Sequence, residues 1–279
     1  MNELRDRVAV ITGAASGLGL ALAQRAAAEG MRLALADIDL PRLRAVAADL
    51  DLPADRLLSL RVDVSQEQDI AGLAAAVRAR YGAVHLLCNN AGVALTRLIS
   101  EMSRADWEWV LGVNLWSVIH GVQHFLPIMT AQAEASHLVN TASAAGMLST
   151  PASAAYNVAK HGVVTLSETL YHELRATAPQ VGVSLLCPAW VKTGINQAAR
   201  NRPQRYGVAQ PAGEFSAAYE ERIAQALDAG RLSAKDIADA VFAAVAERRF
   251  YVIPHRRINQ AFDLRFQDIL LTRNPTPLE

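Results

Sequence analysis

Seven short runs of aliphatic and β-branched residues, spaced by longer Ala-rich stretches, constrain this chain more than any other feature. The runs are Val8 to Thr12, Arg32 to Asp37, Leu57 to Asp63, Leu86 to Asn89, His137 to Ser143, Val183 to Cys187 and Tyr251 to Ile253. Between them, segments such as Leu18 to Glu29 and Ile70 to Tyr81 have helix-favouring compositions and lengths suited to crossover connections. Such alternation predicts an α/β doubly wound fold, a parallel sheet with helices on both faces. Its ligand is then expected beyond the carboxyl ends of the strands.

The 279 residues suit one domain, with a core over about 7–253, an irregular lid over 194–215 and a tail over 254–279. In the lid, Asn201, Pro203, Gly207, Pro211 and Gly213 interrupt any helical pattern, and a loop of that length often covers a site. The tail places Ile258, Phe262, Phe266, Ile269 and Leu270 at near-helical spacing, predicting an amphipathic helix whose partner surface is unassigned. Lys plus Arg equals Asp plus Glu at 27 each, which argues against nucleic acid or an anionic membrane as partner and favours a small molecule. Cys88 and Cys187 lie in apolar strand-like runs, as reduced structural thiols do. No apolar run precedes Val8 and none approaches the roughly 20 residues needed to span a bilayer, so a soluble, cytoplasmic protein is expected.

The first strand runs into Thr12-Gly13-Ala14-Ala15-Ser16-Gly17-Leu18-Gly19, after which an Ala-rich helix begins. Such a turn presents backbone N–H groups and a helix N-terminus to a pyrophosphate. Gly13 permits the turn, Gly17 lets phosphates approach the backbone, and Gly19 lets helix and strand pack closely. The second strand ends at Asp37, 18 positions after Gly19, where a carboxylate accepts the adenosine ribose hydroxyls and repels a 2′-phosphate. With no Lys or Arg in the glycine turn or at positions 38 to 40, NAD is expected over NADP. Asp63, closing the third strand, is positioned for an adenine amino group. Asn90-Ala91-Gly92 closes the fourth strand on the same rim. Asn89 reads better as an amide tie between strand ends.

At the chemical end, the fifth strand delivers Ser143, and Tyr156 and Lys160 share a helix face four residues apart. A phenol titrates near ~10, so a nearby ammonium is expected to lower it and make Tyr156 a usable proton acceptor. Ser143 would orient the substrate oxygen. Asn114, inside a helical stretch from Asp106 to Met129, would hold a proton-carrying water through its amide.

Taken together, Thr12 to Gly19, Asn89 to Gly92, Asn114, Ser143, Tyr156 with Lys160, and Pro188 to Thr193 resemble the signature segments of the short-chain dehydrogenase/reductase family in its compact form. The resemblance covers about Arg7 to Ile253. It implies a Rossmann-type sheet of order 3-2-1-4-5-6-7 and a catalytic tetrad of Asn114, Ser143, Tyr156 and Lys160. It also implies that Lys160 binds the nicotinamide ribose and that Val191 and Thr193 bind the carboxamide. Ser16, Leu18, Val64, Ala91, Pro188, Ala189 and Tyr156 complete the expected cofactor contacts. Where the family usually has Pro-Gly, this chain has Pro188-Ala189, a substitution small enough to leave cofactor binding intact. The resemblance further implies a homotetramer, or a dimer, paired through the helices around Asp106 to Met129 and Ala154 to Thr177.

The expected activity is therefore NAD-dependent interconversion of a secondary alcohol and a ketone. A non-catalytic, NAD-sensing or scaffold protein on the same fold is the alternative, and the intact Tyr156/Lys160 pair argues against it. Epimerisation or dehydration would ask for a longer substrate segment. Pocket walls are expected from Ala94 to Leu98, Ala145 to Thr150, Trp190 and the lid from Gly194 to Phe215. Ala145, Met147 and Trp190 would contact substrate beside Ser143 and Tyr156, and their apolar character points to a neutral hydrophobic alcohol. The lid run Arg200 to Gly207 is similar to that of dehydrogenases acting on bulky aryl alcohols. Its arginines, Arg200, Arg202 and Arg205, read as a solvated loop. His120 and His124 share a helix face without a third ligand, so no metal is expected. Trp107, Trp109 and Trp116 are assigned to core or interface.

Overall fold

The fold, from a computed structural model, is described for residues 3–277. Seven strands, β1 (Val8–Thr12), β2 (Arg32–Asp37), β3 (Leu57–Arg61), β4 (Leu86–Asn89), β5 (Ser136–Thr141), β6 (Val181–Leu186) and β7 (Tyr251–Val252), form one sheet in the order β3-β2-β1-β4-β5-β6-β7. All neighbouring pairs are parallel. The order reverses between β1 and β4, and a crevice opens at such a switch point. β3 is two residues shorter than its sequence pattern suggests, because after Val62 the Asp63 N–H turns to the Asp69 carboxylate instead of continuing the ladder.

Helices α1 (Gly17–Ala28), α2 (Leu40–Asp49), α3 (Glu67–Tyr81), α4 (Arg104–Leu111), α5 (Ser117–Ala131), α6 (Ala154–Thr177), α7 (Glu214–Asp228), α8 (Ala234–Glu247) and α9 (Asn259–Leu270) complete the chain. Successive strand residues point to opposite faces, so Val8 and Val10 enter one core while Ala9 and Ile11 enter the other. The first core gathers Ile70, Trp109, Phe125 and Leu170 from α3, α4, α5 and α6; the second gathers Leu22, Val241 and Phe242 from α1 and α8. Both sheet faces are thus covered, which explains why the strands read as continuous apolar runs.

Beyond strand bounds, the structure adds to or departs from the sequence reading in three places. The expected helix from Asp106 to Met129 is interrupted by a π turn at Gly112–Trp116, which separates α4 from α5 and carries Asn114. Such turns are uncommon and often mark functional positions. The lid is less irregular than expected, with 3₁₀ segments at Gly194–Asn201 and Gln204–Tyr206 before α7 begins at Glu214. The tail helix α9 has a partner surface: its Phe262 is buried against Ala144 and Leu148, with Met147, Ala189, Ile253, Ile258 and Ala261 packed around them. Its other face, including Ile269 and Leu270, stays exposed. Among the described residues no helix is long and apolar enough to cross a membrane.

Candidate active site

The turn between β1 and α1 is built for glycine. Gly13 and Gly17 have φ of +68° and +56°, and a Cβ on Gly19 would lie 2.0 Å from the Gly13 carbonyl oxygen. Ser16, the residue before α1, makes no side-chain cap, so the first N–H groups of the helix, at Gly17, Leu18 and Gly19, have no side-chain acceptor of their own. A pyrophosphate matches that donor set. Thr12 ties the turn to the end of β4: its hydroxyl accepts from the Asn90 and Ala91 N–H groups at 3.0 and 3.1 Å, while the Asn90 amide donates to its carbonyl. Asn90 therefore braces the turn with its side chain, and Thr12 joins the site without having been singled out from sequence. Asn89 donates to Asn140 across β4 and β5, the strand-end tie expected of it.

Asp37 stands at the end of β2 with one carboxylate oxygen accepting from Ala15 N–H at 2.9 Å and the other from Asp39 N–H at 3.0 Å. Burial pushes its carboxyl above the usual range, and these backbone donors pull it back. The carboxylate is thus fixed beside the glycine turn. Asp63 differs from expectation: its Oδ1 accepts from Ser65, and its Oδ2 pairs with Arg205 of the lid at 2.7 Å. Val64 beside it is buried. Arg200 and Arg205 stay exposed, as a solvated loop implies, whereas Arg202 does not. Arg202 pairs with Asp106 at 2.6 Å, both side chains nearly buried, and its guanidinium lies 5.0 Å from the Trp109 ring centroid. Arg200 donates to the carbonyls of Gly194 and Gln197. Asp63 and Asp106 come within reach only through the fold, so sequence spacing gave no sign of either pair.

Ser143, Tyr156 and Lys160 converge past the end of β5. The Ser143 hydroxyl accepts from Ala145 N–H at 3.2 Å, donates to the Pro188 carbonyl at 3.4 Å and stands close enough to Tyr156 to pull its pKa down. The Lys160 ammonium lies 5.6 Å from the Tyr156 ring centroid and donates to the Thr141 carbonyl at 2.8 Å. Its pKa is pushed down to about 8 by burial. The phenol does not follow the expected direction. Burial pushes Tyr156 above its ordinary value, and Ser143 pulls it part of the way back.

Asn114 is also used differently than its sequence position suggested. Its Oδ1 accepts from Val93 N–H at 2.9 Å and its Nδ2 donates to the Val93 carbonyl at 2.8 Å, so the amide locks the loop after β4 instead of standing free for water. Gly92 fits between: a Cβ there would lie 3.1 Å from Asn114 Oδ1 and 3.8 Å from Lys160 Nζ. Asn114, Gly92 and Lys160 are thereby brought together.

After β6, Pro188 and Val191 are buried, Ala189 is half-buried and Trp190 is 44% exposed. Thr193 crosses to the glycine turn, where a Gly17 Cβ would lie 3.4 Å from its side chain. Ala145 and Met147 follow Ser143, with Met147 packed beneath α9. A cavity of about 310 Å³, with Tyr156 not among its lining residues, is lined by Ser65, Trp107, Trp116, His120 and the lid's Tyr206. There Trp116 stacks on His120, while His124 faces Glu67. Trp109 is core. Two residues of the site region, His255 and Phe262, lie beyond the signature segments and had no sequence signal other than the tail's periodicity.

Comparison with known proteins fits this geometry. Residues 7–204 match the family model of short chain dehydrogenases. The chain is 30% identical to a CLA biosynthesis dehydrogenase/reductase of Lactiplantibacillus plantarum, over 99% of this chain and 97% of that one. It is 30% identical to a C alpha-dehydrogenase of Sphingobium sp. strain SYK-6, over 97% and 87% of the two chains. Among solved structures, a short chain dehydrogenase/reductase from Burkholderia phymatum in complex with NAD superposes with a TM-score of 0.97 at 46% identity, covering 100% of both chains. The fold, the glycine turn, the Ser143–Tyr156–Lys160 grouping and these matches together place the chain in the short-chain dehydrogenase/reductase family of oxidoreductases.

Proposed function

We propose that this chain, working as one domain, is an NAD-dependent dehydrogenase that interconverts a neutral, hydrophobic secondary alcohol and its ketone. The observation that carries the reading is the meeting of Ser143, Tyr156 and Lys160 at the rim that also holds the glycine turn and Asp37. When bound, a nicotinamide cofactor supplies the hydride acceptor. The protein supplies the rest. Gly13 to Gly19 receive the pyrophosphate, and Asp37 accepts the ribose hydroxyls and disfavours a 2′-phosphate. The NAD complex of the Burkholderia phymatum relative supports a nicotinamide cofactor.

The Tyr156 phenolate takes the alcohol proton in oxidation, and the phenol so formed returns it in reduction. Ser143, beside Tyr156, turns its single hydroxyl proton from the Pro188 carbonyl to the substrate oxygen and holds that oxygen near the phenol. Lys160 has three donors, of which Thr141 occupies one, leaving others for a ribose hydroxyl. Asn114 acts through Val93, holding the loop that contains Gly92 against Lys160. The Sphingobium relative, named as a C alpha-dehydrogenase, supports an aryl alcohol among the candidate substrates. The apolar walls at Ala145, Met147, Leu148 and Trp190 support a neutral one, as does the engagement of Arg202 and Arg205 with Asp106 and Asp63. Exposed Trp116, half of its surface open, supports pairing of copies through α4, α5 and α6 as a homotetramer, which light scattering would test.

The direct test is incubation of the purified chain with NAD and a panel of secondary alcohols, followed by the absorbance of reduced nicotinamide. Turnover is expected with neutral aryl or alkyl alcohols. Binding of NAD without turnover across a broad panel overturns the dehydrogenase reading.

A further inference from the structure

The tail beyond β7 lies outside the family match at residues 7–204 and outside every contact so far given a role in the reaction. Its placement is nevertheless forced by the sheet. β7 pairs with β6 through Leu185 with Tyr251 and Leu186 with Val252, and the Cys187 N–H donates to the Val252 carbonyl at 2.9 Å. The chain leaving β7 therefore runs beside the chain leaving β6, which is the segment Pro188 to Thr193.

There His255 reaches across. Its Nδ1 accepts from the Ala189 N–H at 3.1 Å, and its Nε2–H donates to the Trp190 carbonyl at 3.1 Å. One neutral imidazole with its proton on Nε2 satisfies both groups at once. Partial burial, which holds the imidazole below its ordinary pKa, favours that neutral form. The neighbouring points are fixed as well. The Pro188 carbonyl accepts from the Ala144 N–H at 2.9 Å, and Val191 bridges to Leu232. Between those two points Ala189 stands where the family usually has glycine, and His255 is the partner of both Ala189 and Trp190. Four residues later the tail enters α9, whose Phe262 covers Ala144 and Leu148 just after Ser143.

We propose that His255 is a positioning residue of the reaction, clamping Ala189 and Trp190 so that the segment leading to Val191 and Thr193 presents one fixed surface to the nicotinamide and the substrate. This rests on the dehydrogenase reading above. The resemblance assigns Val191 and Thr193 to the nicotinamide carboxamide, so loss of the clamp misaligns the reactants more than it weakens their binding. Misplacement on that scale costs rate steeply.

The test compares wild type with His255→Phe, which fills the space without hydrogen bonds, and His255→Gln, whose amide again offers one acceptor and one donor. Should His255→Phe fail to fold, His255→Ala replaces it. Three quantities are read on the full chain: kcat with NAD and the best alcohol of the panel, the Kd of NAD by calorimetry, and hydrogen exchange of the Ala189 amide. His255→Phe is expected to lower kcat by roughly tenfold or more while Kd for NAD moves less than about threefold. Ala189 exchange is expected to quicken by about tenfold or more. His255→Gln is expected to restore both. A general loosening of the fold would lower thermal stability without this split between kcat and Kd and without rescue by Gln. Unchanged Ala189 exchange in His255→Phe overturns the clamp. Intact kcat in His255→Phe, or equal damage in His255→Gln, overturns the positioning role while wild-type turnover leaves the dehydrogenase reading standing. A wild type that binds NAD and oxidises nothing overturns both.

Discussion

Replacing Asp37 by Asn removes the charge at nearly constant shape but turns an NH2 toward one of the two backbone N–H groups, so the NAD-to-NADP ratio, not the absolute rate, reads the electrostatic part of cofactor choice. The carboxylate is buried to 8% exposure and held by Ala15 and Asp39 N–H groups at 2.9 and 3.0 Å, which prevents it from swinging away from a 2′-phosphate. A phosphate carries about −1.5 to −2 charges at neutral pH. At ~5 Å and an effective dielectric of about 30, the repulsion is of order 3 kcal/mol before salt screening, or about 100-fold in kcat/KM. Wild type is therefore expected to prefer NAD over NADP by roughly two orders of magnitude at low salt. Asp37→Asn should narrow that ratio to within about tenfold, mostly by improving NADP. Asp37→Ala should also lose NAD efficiency by about tenfold or more, because the ribose loses charge-assisted acceptors. The assay is kcat/KM for each cofactor at ~20 mM and ~0.5 M salt, where the wild-type gap should shrink as salt rises. A ratio unchanged by Asp37→Asn refutes the argument that charge at this position discriminates.

Tyr156→Phe is expected to reduce turnover about 10²- to 10⁴-fold with NAD affinity nearly unchanged, and substantial residual turnover would remove it from the proton-transfer role. Lys160→Ala is expected to weaken NAD binding as well as rate; equal NAD affinity in calorimetry would contradict the ribose contact. His137, fully buried and bonded to Ser184, has its pKa pushed down to about 3 by burial, below the unfolded value of 6.5. The neutral form therefore stabilises the fold above about pH 6.5, and that stability is lost as pH falls toward 3, by ~1.4 kcal/mol per pH unit. Urea melts at pH 6 and pH 4 should show this slope flattened in His137→Gln, and an equally steep variant would refute it. Arg202→Ala should cost about 2–4 kcal/mol in the same melts, since it strands a buried Asp106 carboxylate that keeps only its Ser103 contacts; a loss below about 1 kcal/mol would show the pair to be dispensable.

What was legible in the sequence is what chain connectivity makes local. A strand feeding a glycine turn and then a helix occupies Val8 to Ala28, Asp37 ends the next strand, and Tyr156 and Lys160 share a face because four residues make about one helical turn. The strand order followed from family resemblance, and the structure has it. The π turn that reorients Asn114 was not legible, because Gly112–Trp116 has a composition that also suits an unbroken helix. Nor was the phenol's upward shift, which comes from the partial burial of Tyr156 by segments distant in the chain. The pairings that complete the site join residues far apart in the chain: Arg202 to Asp106, Arg205 to Asp63 and His255 to Ala189. Local periodicity records which face of an element is apolar, but a hydrogen bond between two loops leaves no period in either one. Only the sheet, by setting β7 beside β6 and the lid across the ends of β3 and α4, decided that those side chains would meet.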